Sequence, residues 1–237
     1  DNRNFTIRYR SNIPLRLGLA GSSAIITACM KALMQFFKVQ LPPAILANLV
    51  LSVETKELGI SAGLQDRVAQ AFEQPVFMDF NRELMQARGF GHYEPLDATK
   101  FPPFYIAFRS NLSEGTEVVH NNLRARFDIG DPVVLKAMQR WGEITTEFRE
   151  ALEIRDYDRM HNLMNENFDL RRETIPITQG NIEMVELARS TGASAKFTGS
   201  GGAIIGTYRD EAMFQQLKKR LSERQIEVIK PEIVTGK

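Results

Sequence analysis

The sequence predicts an α+β protein with two domains. Three observations support this. Strand-like and helix-like segments interleave along the chain. The 237 residues, 43% apolar and 25% charged, have ordinary globular composition at a length that suits one large domain or two smaller ones. A loop-like stretch at Gly89 to Phe101, holding three aromatic residues, offers a boundary between the two parts.

Taken in order, Asn4-Phe5-Thr6-Ile7-Arg8-Tyr9 alternates as a strand already in progress, and with no initiator Met the chain reads as continuing from upstream sequence. A glycine-rich turn follows. Ala24 to Val39 carries small and apolar residues at helical spacing until Pro42-Pro43 interrupts it. Pro43 suits the first turn of a second helix, whose apolar positions Ile45, Leu46, Leu49, Val50 and Val53 recur helically as far as Glu57, before Gly59. A short third helix is expected from Ser61 or Gly63 to Phe72, and Pro75 to Phe80 reads as a strand. Beyond the loop come a strand at Phe104 to Phe108 and helices at Pro132 to Arg155, Tyr157 to Thr174 and Gln179 to Ser190. A second glycine turn, a strand at Ala203 to Tyr208, a helix at Asp210 to Arg224 and a strand at Ile226 to Ile229 complete the pattern.

Thirty basic against twenty-nine acidic residues leave a formal charge of +1, so any anion site must be local. Near-neutral charge, with no cluster of Lys, Arg and exposed aromatics, argues against nucleic acid as a partner. No stretch approaches the ~18 apolar residues of a membrane span, so no membrane partner is expected. The single Cys29 cannot form an internal disulfide; a buried structural thiol in a reducing cytoplasm fits it. His92, His120 and His161 lack metal-ligand spacing and are assigned no site.

Three stretches carry chemistry. In Pro14-Leu15-Arg16-Leu17-Gly18-Leu19-Ala20-Gly21-Ser22-Ser23-Ala24, two glycines allow close backbone approach to a ligand. The following helix offers unpaired N–H groups and a positive dipole end to phosphate, and Ser22 and Ser23 add hydroxyls for phosphate or Mg²⁺. A tight turn with Ser as N-cap stands beside that reading. Downstream, Glu54 at the end of one helix and Asp66 at the start of the next can face one site. Phosphoryl transfer needs one carboxylate to hold Mg²⁺ and another to orient or deprotonate the attacking hydroxyl. A solvated helix face for Glu54, Lys56 and Glu57, and a dipole-favoured charge for Asp66, are the plain alternatives. The third stretch, Lys196-Phe197-Thr198-Gly199-Ser200-Gly201-Gly202, is dense in glycine, which costs stability unless conformation or close approach demands it; a simple hairpin is its alternative.

These stretches, in this order, resemble the GHMP kinases, with Pro14 to Ala24 like the family's ATP-binding motif and Lys196 to Gly202 like its C-terminal glycine motif. Words such as Asn12-Ile13-Pro14, Asn48-Leu49-Val50-Leu51-Ser52, Glu57-Leu58-Gly59-Ile60, Ala62 to Gln70, Met78-Asp79-Phe80 and Asn181 to Glu186 extend the likeness along nearly the whole chain toward the plant glucuronokinases of that family. The resemblance implies a two-domain architecture: an ATP-binding domain over 1–96, incomplete at its start, and a C-terminal α+β domain over 97–237. It implies ATP and Mg²⁺ as cofactors and a small sugar or sugar acid as substrate, with D-glucuronate phosphorylated at its anomeric hydroxyl. It implies Asp66 as the catalytic aspartate, and Ser23 or Ser22 with Glu54 as Mg²⁺ ligands. Pro14, Gly18, Leu19, Ala20, Gly21, Ser22, Ser23 and Ala24 would surround the nucleotide. Thr198, Gly199, Ser200, Gly201 and Gly202 would close over phosphate and sugar. Arg67 would pair with a sugar carboxylate, or else form a surface ion pair with Glu73 or a neighbour. A family segment carrying a first motif and a basic partner for the aspartate does not precede Asp1, so the sequence reads as part of a longer chain. A kinase for galactose, fucose or a heptose phosphate, and a noncatalytic nucleotide or metabolite sensor, are the competing readings.

Overall fold

The computed structural model describes residues 4–14, 17–109 and 123–233, which fall into two compact units. The first holds residues 4–13, Ala20–Ala98 and 233; the second holds residues 14, 17–19, 99–109 and 123–232.

In the first unit, helix α1 (Gly21–Phe37) is followed by α2 (Pro43–Ser52), which opens on Pro43. A single π-helical turn, Val53–Glu57, continues α2 and stops before Gly59, whose φ of 64° is a left-handed value that glycine adopts freely. Helix α3 (Gln65–Phe72) packs against both α1 and α2, and Val68 and Ala71 join Leu46, Ala47 and Val50 in a buried core. Strand β1 (Val76–Asp79), helix α4 (Arg82–Arg88) and strand β2 (His92–Pro95) form a helix-spanned antiparallel pair with Val76 opposite Pro95 and Asp79 opposite His92. β2 corrects the expectation of a bare loop over Gly89 to Phe101: Tyr93 faces inward against Phe72 and Phe80, so an aromatic contact across the chain stabilises a segment of weak strand character. The expected strand at Asn4 to Tyr9 is likewise corrected. Residues 4–12 pair with no strand among the described residues and are exposed, because alternation makes a strand only where a partner supplies the ladder. Phe5 instead meets the rings of Phe36 and Phe37 on α1.

In the second unit, strand β3 (Phe104–Phe108) leads to a helical stretch over 123–128 (α5) and helices α6 (Pro132–Ile154), α7 (Tyr157–Thr174) and α8 (Gln179–Arg189). Strands β4 (Lys196–Phe197) and β5 (Ala203–Thr207), helix α9 (Glu211–Ser222) and strand β6 (Glu227–Ile229) follow. Asp131, Asp156 and Asp210 cap α6, α7 and α9 by accepting backbone N–H bonds. The sheet runs β4-β5-β3-β6, every pairing antiparallel. Side chains alternate across it. Tyr105, Ala107, Phe197 and Ile204 meet α7, α8 and α9 through Phe168, Met184, Val185, Phe214, Leu217 and Leu221, while Phe108 and Ala203 turn to the other face and bury Leu17. Helices therefore cover one face of the sheet, and the opposite face receives the segment that leads into the first glycine turn.

No helix among the described residues is long and apolar enough to cross a membrane. Cys29 is a free, half-buried thiol on α1.

Candidate active site

The π-helical turn and α3 bring three ionisable side chains together in the first unit. Glu54 is fully buried, so the solvated face expected for its stretch holds for Lys56 and Glu57 and fails for Glu54. Its Oε2 accepts from Arg67 Nε at 2.5 Å and lies 2.5 Å from Nη2, a contact that places one carboxylate oxygen on two guanidinium nitrogens. Arg67 Nη1 donates to Gly63 O at 3.0 Å and to Asp66 Oδ2 at 3.3 Å. The expectation that Arg67 pairs with a sugar carboxylate, or at the surface with Glu73, meets a different arrangement: Arg67 is 7% exposed with its donors turned to internal partners, and Glu73 pairs with Lys31 at 2.5 Å. Burying a charged pair is tolerated only when each ion is well partnered. The other oxygen, Glu54 Oε1, is buried without a hydrogen-bond partner.

Asp66 occupies the first turn of α3, where the helix dipole favours its charge, and its side chain is 51% exposed. Its carboxyl is nonetheless pushed above the ordinary value of 3.8: partial burial raises it most, Arg67 lowers it, and the Glu54 carboxylate raises it again. A half-exposed carboxyl beside a buried ion pair, with its proton affinity raised, can accept a proton from a substrate hydroxyl.

The turn into α1 is fixed by one carbonyl. Ala20 adopts left-handed φ and ψ of 55° and 34°, and its O accepts from Ala24 N, Ser23 Oγ and Gln70 Nε2, each at 3.1 Å. Gln70 on α3 is held in turn by Thr27 of α1, whose hydroxyl donates to its Oε1 at 3.3 Å. The serines do not cap α1, which corrects the N-cap alternative: Ala20 itself is the cap residue and no side chain accepts from the first-turn N–H groups. Those amides face outward at the positive end of a 17-residue helix. Ser22 is exposed. Ser23 is buried and gives its proton to Ala20 O, which leaves its oxygen lone pairs as acceptors or cation ligands.

In the second unit, the two glycine motifs meet although some 180 residues separate them. Thr198 Oγ1 lies 3.1 Å from Gly18 O and 3.3 Å from Ala203 O. Gly18 has φ of 65°, and a Cβ there would stand 3.0 Å from Gly201 O; a Cβ on Gly199 would stand 2.8 Å from Gly18 O. Both are glycine because backbone meets backbone. The loop does close the β4–β5 hairpin, as its plain alternative held, yet it is pinned beyond what a hairpin needs. Asn181, fully buried on α8, accepts from Gly202 N at 2.9 Å, and Arg171 on α7 donates to Gly199 O and Ser200 O at 3.0 and 3.1 Å. Lys196 precedes the turn. Burial, with the nearby Arg171 charge second, pushes its ammonium down to about 8.

Sequence reading did not single out Gln70, Arg171 or Asn181 as shaping these turns. Gln70 and Asn181 sit inside stretches that carried the family likeness, which was the available signal; Arg171 lies in an amphipathic helix with nothing local to mark it. Leu15 and Arg16 of the first motif, and His120, lie outside the described residues. Among those residues, no group of three or more His, Cys, Asp or Glu forms a metal-binding cluster.

Residues 1–74 match the GHMP kinases N terminal domain and residues 148–227 match the GHMP kinases C terminal domain. Glucuronokinase 1 of Arabidopsis thaliana is 44% identical over 211 residues, covering 85% of this chain and 57% of that protein. Probable glucuronokinase 2 of the same plant is 43% identical, covering 86% and 57%. The chain thus spans somewhat more than half the length of these relatives. Phosphomevalonate kinase of Streptococcus pneumoniae, solved with phosphomevalonate and AMPPNP, superposes with a TM-score of 0.74 at 18% identity, covering 92% of this chain and 69% of that one, which shows a shared fold. With both domain profiles matched across most of its length and relatives at this level of identity, the chain belongs to the GHMP kinases.

Proposed function

We propose that this chain is the greater part of a sugar kinase that transfers the γ-phosphoryl group of ATP to the anomeric hydroxyl of D-glucuronate, giving glucuronate 1-phosphate and ADP. The substrate follows the named activity of the relatives that match at 43% and 44% identity. The observation that carries the chemistry is Asp66: a half-exposed carboxyl with raised proton affinity, oriented by the buried Glu54–Arg67 pair.

The sugar oxygen forms a new bond to the γ-phosphorus as the bond from that phosphorus to the β,γ-bridging oxygen breaks, and the hydroxyl proton passes to the Asp66 carboxylate. Arg67 is a positioning residue in this scheme, holding Asp66 and Glu54 at fixed angles rather than meeting the sugar. The first-turn amides of α1, together with Pro14, Gly18, Leu19, Ala20, Gly21, Ser22, Ser23 and Ala24, hold the nucleotide, and the Thr198 to Gly202 turn supplies further backbone donors. Glu54, which keeps one buried oxygen unpartnered, and the Ser22 and Ser23 hydroxyls would hold Mg²⁺ as hard oxygen donors. When bound, the cation neutralises phosphate charge that develops during transfer. A small anionic sugar is the partner, and the near-neutral chain suits neither nucleic acid nor a membrane surface. A single free cysteine fits a reducing cytoplasm.

Asp66→Asn tests the mechanism. The full native polypeptide carrying it should bind Mg·ATP with unchanged affinity by calorimetry and lose about 10²- to 10⁴-fold in kcat with D-glucuronate, the range expected for a general base. Undiminished turnover would remove Asp66 from the chemistry.

A further inference from the structure

Helix α3 carries Asp66 in its first turn and Gln70 one turn further on, and Gln70 reaches the residue that opens α1. Its side chain is engaged at both polar atoms: Nε2 donates to Ala20 O at 3.1 Å, and Oε1 accepts from the buried Thr27 hydroxyl of α1 at 3.3 Å. The backbone carbonyl of Gln70 accepts from Lys31 Nζ, also of α1, at 3.3 Å. One residue of the helix that carries Asp66 is thereby tied to the cap of α1 and to two positions a turn apart on its body.

What this tie holds is a strained residue. Ala20 stands at φ 55° and ψ 34°, a left-handed conformation that a side chain with a Cβ keeps only where its surroundings impose it. Ala24 N and Ser23 Oγ also donate to Ala20 O, but both belong to the first turn of α1 and move with it; Gln70 donates from another helix. Thr27 orients the amide, because an amide turned the other way would set its oxygen against the Ala20 carbonyl. The Ala20 C=O and the Gly21 N–H share one rigid peptide plane, so fixing that oxygen fixes the direction of the first amide of α1.

We infer that Gln70 is a positioning residue for phosphoryl transfer, registering the helix that carries Asp66 against the turn that opens α1, so that the first-turn amides and the Asp66 carboxylate keep one geometry. The inference deepens the kinase reading and rests on it for the roles of Asp66 and of those amides.

Gln70→Glu keeps the length and the acceptor for Thr27 while exchanging the donor to Ala20 O for a carboxylate oxygen; Gln70→Met keeps the length alone. Both are made in the full native polypeptide. Calorimetry reads the affinity for Mg·ATP and for D-glucuronate, ADP release reads KM and kcat, and amide hydrogen exchange is followed over residues 20–24 alongside thermal unfolding. Mg·ATP affinity and kcat should each fall about 10-fold, the scale of one lost hydrogen bond whose acceptor is left unsatisfied, with faster exchange at residues 20–24. D-glucuronate affinity should stay within about 3-fold. Thr27→Val, which leaves the Gln70 donor present but free to turn, should lower the same two quantities by about 3-fold. Folded Gln70 variants that keep both within about 2-fold of wild type would overturn the inference. So would an equal loss of affinity for both ligands, the mark of general loosening. If neither Gln70 variant folds, Thr27→Val decides, and unchanged Mg·ATP affinity with unchanged exchange would then overturn it. Wild-type protein that binds Mg·ATP and releases no ADP contradicts the kinase reading; loss of Mg·ATP affinity with faster exchange at residues 20–24 then judges Gln70 separately.

Discussion

The Glu54–Asp66–Arg67 cluster of the first unit and the Thr198 to Gly202 turn of the second are built from different materials. In the cluster the working atoms belong to side chains, and their chemistry is set by burial: Glu54 is fully enclosed, Asp66 is half open, and one guanidinium touches both. In the turn the backbone itself is what the side chains hold, Arg171 by the Gly199 and Ser200 carbonyls and Asn181 by the Gly202 amide. A side-chain site can be retuned by one substitution that changes a proton affinity. A backbone site is altered by whatever allows the chain to rotate.

That difference predicts how each region breaks. In the cluster, Glu54→Leu leaves Arg67 buried without its principal partner and should cost about 3–5 kcal/mol of stability, read as a fall in urea midpoint at unchanged slope. The double change Glu54→Leu with Arg67→Met exchanges the ion pair for apolar groups of similar bulk and should recover most of that loss while leaving the protein inactive. A single change costing less than about 1 kcal/mol would mean that Arg67 reaches water or another anion, and the contrast between buried and backbone sites would weaken.

In the turn the expected effect is smaller. Gly18→Ala places a Cβ on a residue with φ of 65° and 3.0 Å from Gly201 O, so it should cost about 1–2 kcal/mol from the left-handed conformation, with the contact adding to it. The same denaturation measurement reads it. A neutral result would show that the two glycine motifs do not need their close approach.

The two regions were also unequally legible. The glycine turns stood out because such density of Gly is costly without a backbone reason, and the structure supplies that reason in the contact of Gly18 with Gly199 and Gly201. Strand β3 and helix α7 were readable to the residue, since their periods are local properties. Burial was not. Nothing in the spacing of Glu54, Lys56 and Glu57 says which one the fold will enclose, because that is settled by α3 packing across α2. The props of the turns were equally silent: Gln70 meets Ala20 O across 50 positions and Arg171 meets Gly199 O across 28, and a single contact over such a distance leaves no periodic trace. For the same reason the alternation at Asn4 to Tyr9 was read as a strand although no ladder forms there among the described residues, and the short His92 to Pro95 strand, ending in proline, was passed over.

In the proposed function both regions serve transfer of phosphate to a sugar acid, and coupled ADP release reads that transfer. The protein, expressed from its native start codon, would be given Mg·ATP with D-glucuronate, D-galacturonate, galactose, fucose and mevalonate in turn. Turnover should be selective for D-glucuronate. Turnover of another member would keep the kinase and overturn the substrate, and tight ATP binding with no ADP release from any of them would contradict the account in favour of a nucleotide sensor.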